Sequence, residues 1–108
     1  MKKIFLAMIL ILGLSSFVMA ASSDETITVS TTAVGLTAAK ITAYTSYAVC
    51  TLETAQIRFR VSGYNPTSAI GHILDTGNVV ELTTIGDMVK FRAIRTGASD
   101  GVLTCSYY

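Results

Sequence analysis

The chain has no tryptophan, one proline, one histidine and two cysteines, and only 14% of its residues carry a charge. Each scarcity removes a class of chemistry. One histidine, His72, and the absence of any Cys-x-x-Cys spacing leave no ligand set for a metal centre. Glycines sit at turns and never in the spaced pattern that cradles a dinucleotide or phosphate. A serine elbow and a paired-carboxylate signature are also missing. As a general base His72 would need a nucleophile and an orienting carboxylate, and Asp75 is the only acid close to it in sequence. A small hydrolase centred on His72 is therefore the most distant functional reading, and the expectation is a non-enzyme with no cofactor and no metal.

The first twenty residues read as an address. Met1-Lys2-Lys3 is a positive start, Ile4 to Leu14 is an apolar run broken only by Gly13, and Ser15 to Ala20 is more polar and ends in small residues. This is the three-part layout of a secretory signal peptide. Val18 and Ala20 suit the positions three and one before the cut, with cleavage after Ala21 as the neighbouring alternative. The apolar run is shorter than the roughly 20 residues a spanning helix needs, and no later segment is apolar enough to span, so no stable membrane span is expected after cleavage. No cysteine follows the run to carry a lipid anchor. The reading is a signal peptide over 1–20 and a single domain over 21–108, exported to the periplasm or outside the cell.

Lys2 and Lys3 leave with the leader, so the remaining part carries six Lys and Arg against seven Asp and Glu, a net charge of −1. A nucleic-acid binder needs net positive charge to displace counterions, so that class is excluded. A core of this size is marginal by itself. Cys50 and Cys105, an even pair in an exported chain, supply the missing stability as one disulfide. Closing a loop of about 55 residues is worth roughly 4 kcal/mol on the chain-entropy estimate. The geometry of such a bond makes the Cys50 strand and the C-terminal strand neighbours in one sheet or partners across the core.

Short strands separated by turn residues make up the rest. Thr26 to Ser30 alternates polar with apolar; Ala48, Cys50 and Leu52 share one face, as do Ile57, Phe59 and Val61, and then Leu103, Cys105 and Tyr107. The inward parity changes from even to odd between the second and third of these runs, which requires a turn, kink or bulge at Glu53-Thr54-Ala55. Thr37 to Lys40 reads as a turn, Ile41 to Tyr44 as extended, and Ser62 to Thr67 as the strongest loop. His72 to Leu74 and Val79 to Thr83 are strand candidates around the turn Asp75 to Asn78. Ile85-Gly86-Asp87 reads as a break, Met88 to Ile94 as extended, and Thr96 to Gly101 as a loop. The pattern predicts an all-β fold, a small antiparallel sandwich or barrel with little helix.

Arg58 and Arg60 project from one strand face, while Lys90, Arg92 and Arg95 fall in a later segment; pairing of the two would make a basic stripe suited to carboxylates or phosphates. The plainer reading is a solvated, aggregation-resistant face with arginines paired to Glu53, Glu81 or Asp87. Of five tyrosines, Tyr64 lies on a loop where it can stack on a sugar or anchor a partner. Arg58, Arg60, Tyr64, Arg92 and Arg95 are thus the candidate binding surface.

Four segments carry a likeness to known proteins: Thr32 to Lys40, Glu53 to Arg60, Pro66-Thr67 through Gly71 to Leu74, and Phe91 to Gly97. In their order and spacing the chain, from about Thr31 onward, resembles a group of small β-rich proteins encoded among the virion-structure genes of tailed bacteriophages. The resemblance implies a compact β module that assembles on or decorates a larger particle, and it names no catalytic residue. The leader and the cysteine pair depart from the family's pattern, because virion components assemble in the reducing cytoplasm, and both indicate an oxidising compartment. The expected function is an exported, non-enzymatic β-sandwich acting in structural assembly or surface binding, partnered by another protein or a second copy. A glycan- or surface-recognition domain using Tyr64, Arg58 and Arg60 is the first alternative, and a phage virion structural protein is another.

Overall fold

The computed structural model describes residues 21 and 23–108; the expected signal peptide, residues 1–20, lies outside the described residues. Strands β1 (Ser23–Val29), β2 (Ala48–Leu52), β3 (Ile57–Arg60), β4 (His72–Leu74), β5 (Val79–Leu82), β6 (Arg92–Arg95) and β7 (Gly101–Tyr107) are joined by one short helix, α1 (Ile85–Lys90), and a 3-10 turn at Ala38–Lys40. They form two antiparallel sheets, a four-stranded one ordered β1-β7-β2-β5 and a three-stranded one ordered β4-β3-β6. Of the two all-β architectures that the alternation allows, the chain forms the sandwich.

Strict alternation explains the larger sheet. Ile27, Leu103 and Leu52 stand in one register row, and Glu25, Cys105, Cys50 and Val80 in the next, all on the inner face. The residues between them form a hydroxyl-rich outer row, Thr26, Thr104, Thr51 and then Val79. Cross-strand threonine pairs of this kind contribute roughly 0.2–1 kcal/mol each. The core fills the space between the sheets: Ile27, Val29, Leu52, Leu82, Leu103 and Tyr107 from one side, Ile57, Leu74 and Ala93 from the other, with Met88 and Phe91 closing it.

Cys50 and Cys105 are register partners on β2 and β7, bonded to each other with α-carbons 4.0 Å apart, and both are fully buried. Of the two placements compatible with a disulfide, the structure has neighbours in one sheet. The change of parity between β2 and β3 has a simple cause: the chain leaves the larger sheet and enters the smaller one over residues 53–56. Three such crossings are tied together by side chains. Thr54 Oγ1 donates to the Asp100 carbonyl at 3.0 Å, the Thr76 hydroxyl to the Thr54 carbonyl, and Gln56 Nε2 to Asp75 Oδ1 at 2.7 Å. Gly101 lies where they meet. A Cβ there would overlap Ile57 Cγ2 and sit 3.0 Å from the Ala55 carbonyl oxygen, so only glycine lets β7 start against β3.

Four segments differ from the sequence expectation. Residues 41–44 are a turn rather than a strand, because Thr42 and the buried Thr45 satisfy the backbone locally: Thr45 Oγ1 accepts from the Thr42 amide at 3.0 Å, and the Thr45 amide donates to the Thr42 carbonyl at 3.1 Å. Residues 85–90 are helical rather than a break followed by a strand. Thr84 caps the helix by accepting from the Asp87 amide at 3.0 Å, and Met88 turns into the core. Finally, β1 and β7 each begin earlier than the alternation suggested, β1 at Ser23 and β7 at Gly101.

Candidate functional site

The register of β3 on β6 decides which arginines share a face. Arg60 stands opposite Arg92, and Arg58 opposite Ile94, so Arg58, Arg60 and Arg92 project from the outer face of the smaller sheet. Arg95 stands opposite Ile57 and shares the inward parity of that residue and Ala93. Lys90 lies in α1, outside the strand. The structure therefore brings together three of the four arginines and sets Arg95 apart.

Their guanidinium groups are engaged. Arg58 donates through Nε to the Ser68 carbonyl at 3.1 Å and through Nη1 to the Gly71 carbonyl at 2.8 Å, which fastens the 66–71 loop over the sheet. Gly71 adopts φ +132°, a conformation that favours glycine, where this loop enters β4. Arg92 donates to the carbonyls of Phe91 at 2.7 Å and Val89 at 3.2 Å, stitching α1 to β6. Arg60 lies over the Tyr64 ring, 5.5 Å from its centroid. Arg95 pairs with Asp100 at 2.6 Å, while its Nε is buried without a hydrogen-bond partner. Among the described residues, the only ion pair within 4.0 Å is thus to Asp100, and none is to Glu53, Glu81 or Asp87.

Beside this sheet runs an open groove of about 470 Å³, lined by Thr31, Pro66, Thr67, Ser68, Ile94, Arg95, Thr96 and Gly97, so that Arg95, set apart from the other arginines, borders it. Its hydroxyls are partly occupied: Thr67 Oγ1 accepts from the Ala69 and Ile70 amides, and Thr96 Oγ1 donates to Gln56. His72 is exposed on β4 and its ring lies 5.3 Å from that of Phe59. Asp75, the acid nearest to it in the chain, accepts from Gln56.

The strand edges differ sharply in chemistry. β1 carries Asp24 on its exposed face, and β5 carries Glu81. The free side of β6 is closed by Val34, whose amide and carbonyl both bond Ala93, at 2.9 and 2.8 Å. β4 is His72-Ile73-Leu74, without a carboxylate, lysine or arginine, and pairs only with β3 among the described residues. Ile73 is 51% exposed and Ile70, on the adjoining loop, 58%. Sequence reading passed over both; the signal available was an uncharged three-residue strand next to an isoleucine in a polar loop.

One further cluster escaped the sequence reading. Glu25 faces inward beside the disulfide row, where its carboxylate accepts from the Tyr107 hydroxyl, from Thr37 Oγ1 at 2.5 Å and from the Thr37 amide at 3.2 Å. Burial raises the pKa of this carboxyl, but the hydrogen bonds from Thr37 and Tyr107 and the charge of Lys40 outweigh it and hold it below its ordinary 4.5. Burial, then the bond to Glu25 and its negative charge, push the Tyr107 phenol well above its ordinary 10.0. The cluster anchors the 31–40 segment to the larger sheet, and its chemistry is structural.

Among the described residues no group of three His, Cys, Asp or Glu side chains could hold a metal ion, and no helix is long and apolar enough to cross a membrane. No protein-family model, curated protein or solved structure matches the chain.

Proposed function

We propose that this chain is an exported, non-enzymatic β-sandwich that acts by assembly or surface binding through its smaller sheet. The observation that supports this reading is the pairing of an open, uncharged edge at β4 with the exposed Ile70 and Ile73, while neighbouring Arg58 is bent onto loop carbonyls. An unpaired edge with apolar neighbours is what a strand-adding partner uses. The buried disulfide fits an oxidising compartment. Light scattering over a concentration series tests the reading. Self-association or capture on a particle surface that is indifferent to added sugars is expected, and a chain that neither self-associates nor binds any surface would contradict it.

A glycan-recognition reading draws on Tyr64, 70% exposed and steadied by Arg60. It requires saturable retention on a glycan matrix that is lost on Tyr64→Ala.

A further inference from the structure

We propose that the groove beside the smaller sheet is a subsite for an acidic saccharide, with Arg95 taking the carboxylate of a uronate sugar. This rests on the glycan-recognition reading, gives it a site of its own and is independent of how copies assemble. The groove's volume of about 470 Å³ falls within the roughly 300–1,000 Å³ of small-ligand pockets. No carboxylate or lysine lines it, and its one charged lining residue is Arg95. Asp100 meets only Nη1 of that guanidinium, and among the described residues neither Nε nor Nη2 has a hydrogen-bond partner. These two nitrogens form one edge of the fork, which a carboxylate grips with two parallel bonds. Nε is buried and leaving it unpaired is costly, so a carboxylate that enters from the groove and draws the guanidinium onto itself relieves that cost.

The remaining walls suit a sugar ring rather than a bare anion. Thr67 Oγ1 accepts from the Ala69 and Ile70 amides, which leaves its proton to donate. Thr96 Oγ1 spends its proton on Gln56 and keeps lone pairs to accept. The hydroxyls of Thr31 and Ser68 have no hydrogen-bond partner among the described residues and serve either way. Ring hydroxyls both donate and accept, so this mixed set matches them, whereas a phosphate or sulfate calls for donors alone. Ile94 and Pro66 add aliphatic surface for the C–H face of the ring. An acidic peptide side chain would use the guanidinium and leave the hydroxyls unmatched. Asp100 is the built-in competitor: its side chain, 44% exposed, holds Arg95 at 2.6 Å and repels a second carboxylate on the same guanidinium.

Titration calorimetry of the exported protein tests this with oligogalacturonate and oligoglucuronate, their neutral hexose counterparts and a glutamate peptide of equal charge. A uronate oligomer should bind about tenfold tighter than the neutral oligomers and the peptide. Arg95→Lys keeps the charge but not the fork, and should weaken that binding about tenfold. Asp100→Asn removes the competing carboxylate and should strengthen it roughly threefold, a gain that misfolding cannot produce. Equal binding of the peptide or of the neutral oligomers overturns the proposal, as does binding of neither uronate oligomer. Saccharide binding that is lost on Tyr64→Ala yet unchanged by Arg95→Lys and Asp100→Asn overturns the groove and leaves the glycan reading standing. Retention on no glycan matrix overturns both.

Discussion

Glu25 shows how one residue couples the first strand, the last strand and a loop. Its carboxylate lies on the inner face of the sheet and is stabilised there by the hydrogen bonds that Thr37 and Tyr107 bring to it and by the charge of Lys40. A carboxyl whose folded pKa lies below its unfolded value contributes stability that is complete above the unfolded value and is lost as pH falls through the folded one. Urea midpoints of the wild type should therefore fall on acidification below about pH 4.5, and Glu25→Gln should fall less steeply across the same range. Tyr107 has the opposite sign. Its raised pKa contributes stability below the ordinary value of 10.0 that is lost as pH rises beyond it, so Tyr107→Phe should blunt the alkaline loss. Gly101 is constrained by space instead. Gly101→Ala forces a methyl group onto Ile57 and the Ala55 carbonyl, and should cost about 1–3 kcal/mol in urea unfolding.

At the scale of elements, α1 is held by a cap and a single buried anchor. Thr84→Ala should cost about 1 kcal/mol through loss of the bond to the Asp87 amide, and Met88→Ala about 2–5 kcal/mol through the cavity it leaves. Urea denaturation separates the two. This helix was hidden in the sequence because six residues are too few to show helical periodicity, and Gly86 in its first turn looks like a breaker; Thr84 three places before Asp87 was the available sign. The strands β2, β3 and β7 were legible because each alternates cleanly, and even the crossing between sheets showed as a change of parity. Residues 41–44 were misread because threonine favours strands, yet its hydroxyl closes a turn just as readily. The arginine surface was half legible. Arg58 and Arg60, two apart, must share a strand face, whereas Arg92 and Arg95, three apart, must not. That their guanidinium groups reach back to carbonyls depends on where the 66–71 loop and α1 fold, which no local pattern records.

For the whole molecule, the disulfide joins the middle of the chain to its last strand and sits in the centre of the larger sheet. Replacing Cys50 and Cys105 together by alanine should lower the unfolding free energy by about 4 kcal/mol on the chain-entropy estimate, a large share of the roughly 5–15 kcal/mol typical of such domains. Reductant should then destabilise the wild type and leave the double variant unaffected. The bond fits the oxidising compartment that the proposed export requires; export and assembly are thus two sides of one proposal. Native mass spectrometry of the protein recovered from exporting cells, without reductant, tests both at once. The account predicts a subunit lacking residues 1–20 and two hydrogens, which self-associates as its concentration rises. A full-length, reduced monomer would contradict it and favour a cytoplasmic virion component.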